Sequence, residues 1–200
     1  MTNQEMHAAL YDNLRLYHFP VAIKFLFKDE DVADFENRTA EYVTPVKPMT
    51  FCQWEIAARM KGQIVLGREA ELGCANARFS FGWSSMSEAE IKSHEKYARD
   101  LAQAERFLKT KARLPEGALK AVIVAPLFAA DFIPDTVHFY VDNMQAYHLC
   151  VDYMAAMDIH PLRTNITMNS SACGGNVYSY LERTANLLPA CSGSYNAGKT

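Results

Sequence analysis

The sequence predicts an α+β fold, a single domain spanning residues 1–200 with a central mixed β-sheet and several helices packed on it. Three observations lead there. FPVAIKFLF (19–27) and LKAVIVAPLF (119–128) are strand-length and apolar almost throughout, as for strands covered on both faces. Helical periodicities surround them, opening at capping residues and closing at glycine or proline. No repeat, low-complexity tract or linker divides the chain, and 200 residues suit one domain with a sizeable core.

Taken in order, residues 2–16 read as a helix with Met6, Ala9, Leu10, Leu14 and Tyr17 inward, stopped by Pro20. The 19–27 strand follows, with Lys24 its one polar member. KDEDVADFENRTAEY (28–42) has weak periodicity and reads as an acidic surface excursion. Thr50-Phe51-Cys52-Gln53 is a capping box with Thr50 as N-cap, and Gly62 is a natural stop for the helix it opens. Ile64 to Leu66 reads as a short strand, and ANARFSFGW after Gly73-Cys74 as a short helix or turn. Ser87 to Glu90 is a second capping box, opening a polar, surface-lying helical region over about 88–110.

TVHFYV (136–141) alternates enough to be a strand beside 119–128. Asp142 then caps a helix whose Met144, Tyr147, His148, Val151, Met154 and Ala155 share one face, so that burial accounts for His148 and for Cys150 at the flank. LRTNITM (162–168) reads as a further strand. The last helix is capped by Ser170 or Ser171 and buries Val177, Tyr180, Leu181, Thr184, Leu187 and Leu188.

Composition narrows the function. A net charge of −3 gives no electrostatic case for nucleic acid, and Arg99, Arg106, Lys109, Lys111 and Arg113 read as a solvated helix face. The N-terminus lacks the features of a secretory signal, and no apolar run approaches the roughly 20 residues that span a bilayer. The expected location is the cytoplasm, without membrane contact. The C-terminal GSYNAGKT matches the phosphate-loop pattern, but it follows a helix and a proline and ends at Thr200, so no nucleotide binding is expected of it.

In a reducing compartment the five cysteines (52, 74, 150, 173 and 191) argue for metal binding, catalysis or burial before disulfides. None lies in a Cys-x-x-Cys pair. Cys52 and Cys173 fall in first helical turns, where unpaired N–H groups and the helix dipole favour a thiolate. Cys74 follows a glycine, and Cys191 lies between a proline and a glycine.

PVAIKF after an N-terminal helix, then FCQWEIAARMKGQ, GCANARFSFG, a late apolar strand and the Cys173 and Cys191 segment together resemble domain-of-unknown-function family 169, the uncharacterised archaeal conserved region family. The resemblance covers nearly the whole chain. It implies that cysteines recur at the places of Cys52, Cys74, Cys173 and Cys191, with Cys150 outside the pattern, and that the family belongs largely to anaerobes. Relatives run on past CSGSY, which implies that a C-terminal strand is missing or replaced here. The expectation is that these four cysteines converge on a [4Fe–4S] cluster with a redox or cofactor-handling role in anaerobic metabolism, serving a redox partner protein or a small-molecule ligand. A homo-oligomer is compatible with the sequence. Two alternatives stand beside it: a thiol-dependent enzyme using Cys52 or Cys173 as nucleophile, and a small-molecule or tetrapyrrole-binding module walled by Met, Tyr and Phe.

Overall fold

The computed structural model describes residues 1–39, 41–95, 98–158, 162 and 172–188. The two apolar runs are neighbouring strands: β1 (Val21–Leu26) pairs antiparallel with β3 (Ala121–Pro126), Val21 opposite Pro126 and Leu26 opposite Ala121. β2 (Val65–Gly67) lies on the other side of β3, and β4 (Thr136–His138) on the other side of β1, giving the order β2-β3-β1-β4. Every ladder among these strands is antiparallel, while two isolated parallel bridges, Val43 to Val65 and Met49 to Leu72, add a mixed character at the β2 side. The TVHFYV strand therefore lies beside β1 and not beside 119–128, because both edges of β3 are already taken.

Alternation along β1 and β3 explains the two-faced burial. Val21, Ile23, Phe25, Val122 and Val124 enter one core cluster, and Ala22, Leu26, Ala121, Ile123 and Ala125 the other. On the second face pack Met6 and Leu10 of α1 (Asn3–Leu14) and Val32 and Phe35 of α2 (Asp29–Arg38). On the first face lie α3 (Phe51–Lys61) and α8 (Ala172–Glu182). Thr50 and Gln53 form the expected reciprocal cap on α3, and Gly62 ends it at φ 69°, a left-handed conformation that glycine adopts without strain.

Several sequence expectations are corrected. The acidic 28–42 segment contains α2, whose two buried residues, Val32 and Phe35, stand one turn apart and cover the sheet. The 88–110 region is two helices, α5 (Glu88–His94) and α6 (Leu101–Thr110), because Asp100 accepts from Gln103 N and starts a new N-terminus. Lys111 is buried rather than solvated. Tyr17 is exposed. In α7 (Asn143–Met157) the buried residue is Gln145, while Met144, Tyr147, His148 and Val151 face solvent. Gln145 is held inward because its amide donates to the Leu14 and Arg15 carbonyls at the end of α1. ANARFSFGW contains α4 (Ala75–Ser80). The 162–168 strand, the Ser170 and Ser171 caps, Cys191 and the C-terminal GKT fall outside the described residues. No helix among the described residues is long and apolar enough to cross a membrane.

Candidate functional site

Three of the four singled-out cysteines belong to or pack against the core cluster on one face of the sheet. Cys52 is the second residue of α3, Cys74 is the N-cap of α4, and Cys173 is the second residue of α8. Cys52 and Cys173 are buried members of the first core cluster, and Cys74 packs against it. The start of α8 packs tightly against the segment that follows it: a Cβ on Gly175 would overlap the Leu188 side chain. Cys150 is half-buried on α7 and belongs to neither core cluster among the described residues. No three His, Cys, Asp or Glu side chains among the described residues are grouped so as to hold a metal ion; Cys191 lies outside those residues.

One turn along from Cys52 stands a group that sequence reasoning missed. Glu55 is completely buried, and a buried carboxylate persists only when its oxygens are hydrogen-bonded. Its Oε2 accepts from the Tyr140 hydroxyl at 2.6 Å, and its Oε1 lies 2.7 Å from His138 Nδ1. Asn176 Nδ2 approaches Oε1 at 3.4 Å and also donates to the Ala172 carbonyl at 2.8 Å, while Asn176 Oδ1 accepts from Thr136 Oγ1 at 2.9 Å. The donors come from α8 and from the β4 strand and its continuation, where His138 and Tyr140 share a face by the two-residue period.

The electrostatics follow from this burial. The Tyr140 hydroxyl is held far above the usual tyrosine range by desolvation first, then by the charge and hydrogen bond of Glu55 and the charge of Cys52, with Arg59 opposing. Cys52 is thus within electrostatic reach of the network. The Arg59 guanidinium lies 3.9 Å from the Tyr140 ring centroid. His18, edge-on to the same ring at 6.4 Å, is held below the usual histidine range by burial and by Arg59.

A second buried polar cluster lies behind α4. His94 Nε2 is 2.6 Å from Asn76 Oδ1 and 2.9 Å from Lys111 Nζ, and Lys111 donates to the same Asn76 oxygen at 2.9 Å. It joins α4 to α5 and to the end of α6, which explains why Lys111 is inside. Two surface clefts, of about 370 Å³ beside Trp83 and Lys120 and about 410 Å³ beside Phe35 and Asp135, contain no cysteine.

The fold and this site define an α+β domain in which cysteine-bearing helix starts and a buried, hydrogen-bonded acid share one core. The chain belongs to the family DUF169, described as uncharacterised ArCR, which it matches over residues 9–200. No curated protein and no solved structure matches it. Cys52 and Cys173 were visible in the sequence as helix-start cysteines. The signal for Glu55 and Asn176 was their spacing, each three residues after one of those cysteines and so on the same helix face.

Proposed function

We propose that the protein binds a [4Fe–4S] cluster through Cys52, Cys74, Cys173 and Cys191 and serves a redox or cofactor-handling role. The observation that supports this reading is that Cys52, Cys74 and Cys173, from three separate segments, belong to or pack against one core cluster, with Cys150 left out. Thiolates at helix starts suit the group, because free backbone N–H groups stabilise negative sulfur. Cys191 would complete the set. Such a cluster supplies one-electron chemistry, with its potential set by hydrogen bonds and burial. Protein prepared without oxygen should absorb broadly near about 400 nm and carry about four irons per chain. Cys173→Ser should lose both signals and Cys150→Ser should keep them. Iron-free protein that stays folded under those conditions, or loss of the signals in Cys150→Ser, would remove the reading.

A second reading, a thiol-dependent enzyme, is favoured by the Glu55, His138 and Tyr140 network one helical turn from Cys52. In it Cys52 is the nucleophile, and the network holds or relays the proton. Stoichiometric alkylation of Cys52 by iodoacetamide, faster than that of Cys150 and slowed in Glu55→Gln, would support it over the cluster. Equal rates at the two cysteines would count against it.

A further inference from the structure

Arg59 stands at the opposite end of the same network. It is one turn beyond Glu55 on α3, at the i,i+4 spacing that normally lets a glutamate and an arginine pair on a helix. Here they do not pair. Glu55 commits its two oxygens to Tyr140 and His138, and the guanidinium instead stacks on the Tyr140 ring at 3.9 Å. Among the described residues Arg59 forms no ion pair, and its Nε is buried without a hydrogen-bond acceptor. A buried donor on a permanent cation is costly to leave unmade, and stacking fixes the guanidinium plane while leaving its N–H edge for a planar acceptor.

We propose that Arg59, with His18 and the ring of Tyr140, is a binding site for a small organic monocarboxylate. The charge count selects the class. Arg59 supplies one permanent positive charge, and His18, edge-on to the same ring at 6.4 Å and held below the usual histidine range by burial and by Arg59, adds a ring nitrogen nearby. One permanent cation with a planar donor edge suits a carboxylate with a single negative charge better than a phosphate dianion. The Tyr140 ring gives the ligand an apolar wall, since its hydroxyl is spent on Glu55. The site is independent of what the cysteines bind, as neither the stacking nor the orphaned Nε involves them.

The test uses the full chain, purified without oxygen, with acetate, propionate and benzoate as probes and chloride and inorganic phosphate as controls at matched ionic strength. Calorimetry should show saturable carboxylate binding that weakens about tenfold or more in Arg59→Lys, which keeps the charge but loses the two-point edge. Lys61→Met, an exposed neighbour, should bind as the parent does. In the parent protein the Arg59 Nε–H resonance, identified by its disappearance in Arg59→Lys, should shift along the same binding curve. The proposal is overturned if none of the three carboxylates binds saturably, if Arg59→Lys binds as the parent does, if binding leaves the Nε–H resonance unmoved, or if phosphate displaces propionate with the higher affinity.

Discussion

Removing the Glu55 carboxylate should cost more than any surface change, and the cost can be worked from its contacts. Glu55→Ala leaves the Tyr140 hydroxyl and the His138 ring nitrogen, now at 2.6 and 2.7 Å from carboxylate oxygens, without their acceptor in a site that water does not reach. Hydrogen bonds to a charged group contribute about 1.5–3 kcal/mol each, so the loss should total about 3–6 kcal/mol, comparable with the roughly 3–5 kcal/mol for breaking a buried pair. Tyr140→Phe keeps the ring under Arg59 and removes one bond, which should cost about 1.5–2 kcal/mol. If the two side chains act as a unit, the double variant should be less destabilised than the sum of the singles by about 1–2 kcal/mol. Urea unfolding, followed by far-ultraviolet circular dichroism and tryptophan fluorescence, gives these values provided the denaturant slope is unchanged. A coupling below about 0.5 kcal/mol would refute the network, because additive effects are what independent sites give.

The raised Tyr140 hydroxyl has a pH consequence whose sign is fixed. Its folded-state value lies above the unfolded value of 10.0, so its contribution is fully present below pH 10 and is lost as pH rises beyond it, where the unfolded chain ionises first. Stability measured from pH 9 to 11 should therefore fall more steeply in the parent than in Tyr140→Phe, and parallel slopes would contradict the buried hydroxyl. Gly175→Ala should destabilise by about 1–3 kcal/mol, since its new methyl overlaps Leu188, and Leu188→Ala should recover part of that loss in the double variant. Unfolding curves of the three variants check this, and strict additivity would show that the two residues do not meet.

The parts of the fold legible in the sequence were those in which one local rule was enough. β1 and β3 read clearly because a strand covered on both faces is apolar along its length, and α3 because Thr50, Gln53 and Gly62 mark both of its ends. α2 was hidden because Val32 and Phe35 are its only buried residues, too few to set a period among seven charged or amide neighbours in DEDVADFENR. α7 misled for the opposite reason: its apolar stripe is real, but the docking of α7 is decided by the Gln145 amide on the end of α1, a contact between residues far apart in sequence. The acid site was opaque for a related cause. A lone Glu in FCQWEIAARMK reads as a solvated position, since glutamates are rarely buried unless paired, and its partners arrive from about 80 and 120 residues away.

The composition of α3 then becomes intelligible. Trp54 and Ala58 stand four apart and turn to the sheet, where the Trp54 indole lies so close over Gly67 that no larger residue fits there. Cys52, Glu55 and Arg59, at i, i+3 and i+7, form a second stripe that cannot face the same way. At 1.5 Å of rise per residue this stripe displays a thiol, a carboxylate and a guanidinium along roughly 10 Å of one helix. A helix serving only the core would place apolar residues at such positions. The polar residues remain because α8 and the β4 strand with its continuation bring Asn176, His138 and Tyr140 to the middle of the stripe and satisfy Glu55 there. Cys52 and Arg59 stand at its two ends. Arg59 carries the orphaned Nε, so its end of the stripe is where the proposed carboxylate would add an interaction that the fold itself does not supply.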